Sequence, residues 1–219
     1  MELKTIETRL GYVFNNTELL ELALVHKSSN NTSNNERLEF LGDTILNSII
    51  SQYLFLKFPN EKEGLLTRMR SHIVKGETLT KKAHELSIID FIKLSKGTAN
   101  LSENRKFSIL EGSIESIIGA VFLDSNWDSV RAFILNLFKQ DLANLEVDQE
   151  FRDSKTELQE LLQSKGLEPP KYITTETNLG FTCEIHLDNE EFVASGSSKR
   201  QSEILVAKEA LNHLKSKNA

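Results

Sequence analysis

The sequence predicts two domains: an all-helical domain, then a small α+β domain with the element order α-β-β-β-α. Over the first 150 residues, apolar side chains recur every three or four positions, which is the spacing of one helix face. Beyond residue 170, short segments rich in β-formers alternate partly between apolar and polar residues. A polar, acidic stretch separates the two regions. We therefore place the domains at residues 1–145 and 154–219, joined by a linker at 146–153.

In the first domain, apolar spacing predicts one helix around residues 20–24 and another around 38–49. The Asn- and Ser-rich run at 28–35 predicts a loop between them, and Asn35 is expected to cap the second helix. Further helices are predicted at about 65–74, 78–86, 109–123 and 127–142. We expect four phenylalanines of this domain to lie in its core: Phe40, Phe55, Phe58 and Phe122.

The second domain begins with a predicted helix at about 154–165, and Pro169-Pro170 prevents that helix from continuing. The β-formers that follow predict three strands, and an apolar stripe predicts a last helix. The strands are expected at 172–175, 181–187 and 191–194, and the helix at 201–214. Cys183 falls within the second strand, where it is expected to be a small buried apolar residue.

The composition limits the possible classes of protein. The net charge is −6, and residues 1–150 and 151–219 are each net acidic, so any site for a polyanion must be local. No apolar run reaches the roughly 20 residues of a membrane helix, and the first residues lack the apolar core of a secretory signal. The single cysteine excludes an intrachain disulfide and a cysteine-based zinc cluster. We expect a cytoplasmic protein with no membrane partner.

Three carboxylates are predicted on one face of the second helix. Glu36, Glu39 and Asp43 are spaced i, i+3 and i+7, and like charges at this spacing destabilise an isolated helix. A cation between them would convert repulsion into binding, and oxygen ligands alone favour Mg²⁺ over zinc. The alternative is a solvated surface face, in which Glu36 simply favours the positive end of the helix dipole.

A fourth carboxylate lies on a later helix. Glu115 stands among apolar residues, and the small pair Gly119-Ala120 follows one turn later. Small side chains allow a second helix to approach closely, so we expect Glu115 to face the carboxylates of the earlier helix.

Several segments resemble the ribonuclease III family. Residues 35–43, NERLEFLGD, are similar to the family signature, and residues 115–124, ESIIGAVFLD, to its second conserved block. Residues 10–14, LGYVF, and 63–68, EGLLTR, match flanking segments in the family's order. The second domain resembles the double-stranded RNA-binding domain of bacterial members, notably in KTELQE at 155–160 and GSSKR at 196–200.

The resemblance implies a Mg²⁺-dependent endonuclease that cuts double-stranded RNA as a homodimer formed through the catalytic domain, with Mn²⁺ as an expected substitute and no small-molecule cofactor. It implies products with 5′-phosphate and 3′-hydroxyl ends, and substrates such as ribosomal RNA precursors and structured messenger RNA. The implied catalytic residues are Asp43, Glu115, Glu39 and Glu36, with Glu63 assisting at the cleft. The implied metal ligands are Glu39, Asp43, Glu115 and Glu111. The implied RNA-binding residues are Gln159, Glu160, Ser197, Ser198, Lys199 and Arg200.

Two departures from the family pattern bear on function. Gly112 stands where the family usually has Asp, so either Glu111 or a water molecule replaces that ligand, or the site is impaired. The impaired case predicts a non-cleaving RNA-binding protein that acts in ribosome assembly or as an RNA chaperone. In the second domain, the loop at 177–180 is short and Glu203 replaces a basic residue that many such domains carry. We therefore expect a weaker hold on duplex RNA than is usual.

Overall fold

A computed structural model describes residues 2–95, 102–145, 154–187 and 190–217. Contacts between Cα atoms divide the chain into two compact units, residues 1–146 and 147–219. The predicted linker, residues 146–153, lies outside the described residues. None of the described helices is both long enough and apolar enough to cross a membrane.

Apart from an isolated β-bridge between Val25 and Lys93, the described secondary structure of the first unit is helical, which confirms the predicted fold class. A 3₁₀ turn, Ile88–Asp90, follows the fifth helix. The α-helices in chain order are α1 (Glu2–Leu10), α2 (Thr17–Ala23), α3 (Glu36–Lys57), α4 (Glu63–Ile73), α5 (Gly76–Glu85), α6 (Glu103–Asp124), α7 (Trp127–Leu137) and α8 (Lys139–Ala143).

The two longest helices of this unit, α3 and α6, pack directly against each other at its centre. Their apolar stripes supply much of the core, including Leu46 and Ile49 of α3 and Ile117 of α6, which are buried. The helix backbones touch where glycines remove the side chain. A Cβ atom on Gly42 would overlap the carbonyl oxygen of Glu115, and one on Gly119 would overlap the carbonyl oxygen of residue 38.

We expect Gly42→Ala to reduce the free energy of unfolding by about 3 kcal/mol or more, because the added methyl group must push α3 and α6 apart. Urea unfolding followed by circular dichroism at 222 nm measures the change. Gly64→Ala is the matched control, since a Cβ there is 3.5 Å from the nearest atom, a guanidinium nitrogen of Arg68. The control should stabilise slightly, by about 0.5 kcal/mol. A loss below about 1 kcal/mol for Gly42→Ala would contradict the close approach.

Asn35 occupies the N-cap position of α3, as predicted, but its side chain makes no capping hydrogen bond; the Asn34 carboxamide oxygen instead accepts a hydrogen bond from the Glu36 N–H at 3.0 Å. Two of the core predictions for this unit are wrong. Phe40 and Phe55 are 77% and 68% exposed rather than in the core, because the buried side of α3 already faces α6.

The helix predicted at 127–142 is divided into α7 and α8 at Phe138. The backbone there leaves the helical conformation, with φ −97° and ψ 13°, and the Phe138 side chain is fully buried. Apolar spacing continues across the break, so the pattern gave no sign of it.

The second unit has the predicted order α-β-β-β-α, which confirms its fold class. Its elements are α9 (Ser154–Ser164), β1 (Ile173–Thr177), β2 (Gly180–Leu187), β3 (Glu190–Gly196) and α10 (Lys199–Ser216). The sheet is antiparallel with the order β1-β2-β3, and Cys183 of β2 pairs with Thr174 of β1 and Ala194 of β3.

The two helices of this unit cover one face of the sheet. The buried cluster joins residues of both helices, such as Leu158 and Val206, to the inward side chains of the sheet, such as Ile185. Cys183 is fully buried in this cluster, as predicted. Only residues 178 and 179 separate β1 from β2, so the connection is as short as the sequence predicts.

Candidate functional site

Four carboxylates lie along the contact between α3 and α6. Glu39 and Asp43 are one turn apart on α3, and Glu111 and Glu115 are one turn apart on α6. The close approach at Gly42 places the Glu115 backbone directly against the residue before Asp43. The packing of α3 on α6 therefore brings together the acidic residues of two segments that are about 70 positions apart.

The charges of these carboxylates act on one another. Burial raises the pKa of Glu115 to about 8, with further contributions from the charges of Asp43, Glu39 and Glu111. Burial likewise raises the pKa of Glu39, helped by the charge of Glu36, and burial and the Asp43 charge raise the pKa of Glu111. Ionising Glu39, Glu111 or Glu115 therefore costs free energy, first because burial takes the carboxylate out of water and then because of the neighbouring negative charges.

Glu36 lies at the edge of this group. Its carboxylate is exposed and forms an ion pair with Lys27, with 2.8 Å between Nζ and Oε1. The hydrogen bond to Glu36 raises the pKa of Lys27. The Lys27 ammonium group therefore lies beside the acidic residues, and its positive charge partly offsets the rise in the Glu39 pKa.

Gly112 leaves room for the Glu39 side chain. A Cβ atom at position 112 would lie 2.7 Å from Oε2 and 2.8 Å from Cδ of Glu39. The Glu39 carboxylate therefore occupies the space next to α6 in which a side chain at position 112 would begin. Because position 112 has no side chain, the Glu39 carboxylate has room to lie against α6 at this point.

Two positioning residues were missed by the sequence analysis. Asn47, one turn after Asp43, donates a hydrogen bond from Nδ2 to Asp43 Oδ1 at 2.7 Å and so orients that carboxylate. Gly76 begins α5, where a Cβ atom would lie 2.7 Å from Oε1 of Glu111, so the glycine makes room for that carboxylate. The i+4 spacing of Asn47 from Asp43 was a usable signal, whereas nothing in the sequence linked Gly76 to Glu111.

Glu63 does not join the other carboxylates. It begins α4, accepts a hydrogen bond from Thr67 at 2.8 Å, and lines a groove beside Phe55 in the second half of α3.

The acidic residues suit a hard divalent cation by their chemistry. All four side chains offer carboxylate oxygens, which Mg²⁺ prefers, and a cation among them would offset both the burial and the repulsion that raise the Glu115 pKa. Within the described parts of the chain, no three Asp, Glu, His or Cys side chains lie close enough together to hold a metal ion as they stand. Binding would therefore require these carboxylates to turn towards the ion.

The second unit presents an exposed polar surface at the start of α10. Ser198 caps the helix by accepting a hydrogen bond from the Gln201 N–H at 3.2 Å, and Gln201 Oε1 accepts from the Ser197 N–H at 2.9 Å. Lys199 and Arg200 follow in the first turn and are exposed. The N-terminus of a helix favours anions, and two cations strengthen that preference.

The predicted RNA-binding residues of α9 lie near this surface. Gln159 and Glu160 are exposed one turn after Lys155. Lys155 in turn forms an ion pair with Glu203 of α10, with 2.7 Å between Nζ and Oε2. The first turn of α9 and the second turn of α10 are therefore neighbours, and their polar residues belong to one region of this unit.

Comparison with known proteins matches both units. A family model described as Ribonuclease-III-like matches residues 16–142, and one described as double-stranded RNA binding motif matches residues 154–214. The chain is 40% identical to Ribonuclease 3 of Idiomarina loihiensis over 219 residues, covering 97% of this chain and 95% of the relative. It is 40% identical to Ribonuclease 3 of Buchnera aphidicola over 216 residues, covering 95% of each.

Solved structures give the same result. The first unit resembles the nuclease domain of ribonuclease III from Campylobacter jejuni, with a TM-score of 0.61 and 36% identity over 64% of this chain and 99% of that one. Dicer from Pichia stipitis matches with a TM-score of 0.50 and 26% identity over 90% of this chain and 94% of that one.

Proposed function

The chain belongs to the ribonuclease III family, and from this premise we propose that it is a Mg²⁺-dependent endonuclease that cuts double-stranded RNA into products with 5′-phosphate and 3′-hydroxyl ends. Its substrates would be ribosomal RNA precursors and structured messenger RNA of the cytoplasm. The observation that carries the proposal is the group of four carboxylates where α3 packs on α6.

Glu39, Asp43, Glu111 and Glu115 would hold the ion, and Mn²⁺ would serve in its place. Bound Mg²⁺ supplies an activated water and stabilises negative charge on the phosphate during hydrolysis. Asn47 keeps the Asp43 carboxylate oriented through the 2.7 Å hydrogen bond. Glu36 would assist catalysis from the edge of this group of carboxylates, where the ion pair with Lys27 positions its carboxylate.

The second unit would bind the RNA duplex. The start of α10, with Ser197, Ser198, Lys199 and Arg200, would contact phosphates through helix N–H groups and cations. Gln159 and Glu160 of α9 would meet 2′-hydroxyl groups in the minor groove. Domains of this kind recognise duplex shape over about 16 base pairs rather than sequence.

A second candidate function is RNA binding without cleavage, in ribosome assembly or as an RNA chaperone. Gly112 favours it, because a glycine has no side chain with which to bind a metal ion. Incubation of the purified protein with a long RNA duplex, with Mg²⁺ or with EDTA, separates the two functions. Cleavage that requires Mg²⁺ supports the nuclease. Binding without cleavage in Mg²⁺ and in Mn²⁺ supports the alternative.

We also propose that the first unit forms a homodimer through the exposed face of α3. Phe40 and Phe55 lie on this face with Thr44 and Ser48 between them, and both aromatic rings are mostly exposed. A solved structure of the Campylobacter jejuni nuclease domain concerns a region involved in dimer formation of that domain. A symmetric dimer would bury both aromatic rings of each protomer.

Phe40→Ser is expected to weaken the dimer by about a hundredfold or more, because buried aromatic anchors dominate the energetics of interfaces. Light scattering coupled to gel filtration at micromolar concentration should show the change from dimer to monomer. Leu179→Ser is the control, since Leu179 is 99% exposed but belongs to the other unit. A dimer that persists in Phe40→Ser at low micromolar concentration would place the interface elsewhere.

A further inference from the structure

Glu203 occupies an unusual position for an acidic residue in a domain that would bind a polyanion. It lies in the second turn of α10, four residues after Lys199, which places both side chains on one helix face. Its side chain is 15% exposed and forms the 2.7 Å ion pair with Lys155 of α9. Its other oxygen, Oε1, accepts a hydrogen bond from Thr174 of β1 at 3.5 Å.

The carboxylate of Glu203 acts on two cations near the phosphate-binding surface. The hydrogen bond from Lys155 and the charges of Lys155 and Lys199 hold the pKa of Glu203 below its ordinary value, against the opposing effect of burial. The carboxylate is therefore ionised at neutral pH and attracts both lysines. The Lys155 side chain is 36% exposed, and its Nζ also lies 4.4 Å above the ring of Tyr172.

We infer that Glu203 restrains RNA affinity: it holds Lys155 in an ion pair within the domain and offsets the charge of Lys199, so that fewer cations are available to RNA phosphates. Counterion release makes duplex affinity depend on the number of phosphates that cations neutralise. The inference rests on the proposed function, because it assumes that this surface contacts RNA. Glu203 is then a determinant of duplex affinity, and Lys155 is the cation that its carboxylate keeps from RNA phosphates.

The test is Glu203→Gln in the full chain, with binding to a fluorescent RNA duplex measured by anisotropy in EDTA, which removes the cations that cleavage would need. The variant should bind about five- to tenfold more tightly at 0.1 M salt. The slope of log K against log salt concentration should become steeper by up to about 0.9, the value for one added phosphate contact. This slope does not depend on the fraction of correctly folded protein, so partial unfolding cannot imitate the result.

Two controls separate this mechanism from a change in net charge. Glu190→Gln removes the same charge from a carboxylate of the same unit that pairs with Lys217, in the turn that follows α10. It should leave the slope unchanged. Lys155→Met should change affinity less than twofold in the original chain but remove the gain when combined with Glu203→Gln.

Unchanged or weaker binding by Glu203→Gln, with duplex binding by the original chain intact, would overturn the inference and leave the proposed function standing. An equal gain from Glu190→Gln would also overturn it, because the effect would then be one of net charge. If the original chain fails to bind duplex RNA, the proposed function itself fails.

Discussion

Glu115→Gln is expected to abolish Mg²⁺-dependent cleavage of duplex RNA, with a loss of about a thousandfold or more. Gln keeps the size of the side chain but removes the negative charge, and Glu115 is the carboxylate on which burial and three neighbouring charges converge. A thousandfold loss corresponds to about 4 kcal/mol in the barrier, which is within the range that metal-assisted charge stabilisation supplies.

Single-turnover cleavage of a long duplex, with protein in excess over RNA, measures this loss. Glu103→Gln is the matched control on the same helix, because Glu103 lies in the first turn of α6 and pairs with Lys106. The control should cleave within about twofold of the original rate. If Glu115→Gln retains more than a tenth of the activity, Glu115 is not a metal ligand.

The same substitution should increase stability when no divalent cation is present. The raised pKa means that the folded chain disfavours ionised Glu115, so the free energy of unfolding falls as pH rises from about 4.5 to about 8. Glu115→Gln removes this dependence and should raise the melting temperature at pH 8. Mg²⁺ should raise the melting temperature of the original chain more than that of the variant.

The second large effect is expected from Glu111→Ala, which should reduce cleavage about a hundredfold and raise the Mg²⁺ concentration needed for half-maximal rate. Glu111 is one turn before Glu115, and its charge already contributes to the raised Glu115 pKa. We expect it to replace the ligand that Gly112 lacks. An unchanged rate and Mg²⁺ requirement would instead assign that place to a water molecule or to another ligand.

Adding Gly112→Asp to Glu111→Ala provides a rescue test. The three atoms nearest to the new Cβ all belong to the carboxylate end of Glu39, a flexible side chain that can shift to admit it. The double variant should recover cleavage to within about tenfold of the original chain. Failure of this rescue, with the fold intact by circular dichroism, would mean that Glu111 acts through something other than metal binding.

Most of the fold could be predicted from local patterns. The apolar spacing of α3 and α6 and the β-formers of β2 depend on nearest neighbours along the chain, and the structure confirms those elements. The errors arose where spacing carries no information about partners. Phe40 fits the apolar pattern of α3 but lies outside the stripe that packs on α6, and Phe138 interrupts a helix whose apolar spacing continues.

In the candidate site, too, local spacing predicts some features and the packing of distant segments sets the others. Local spacing alone shows which acidic residues share a helix face, since i, i+3 and i+4 spacing follows from helix geometry. It also identified the glycine pattern that lets α6 approach another helix. Three other contacts depend on the packing of the whole chain: Glu39 fills the space beside Gly112, Gly76 makes room for Glu111, and Glu203 pairs with Lys155. Each of these contacts joins segments distant in sequence, and their geometry depends on how whole helices pack rather than on local spacing.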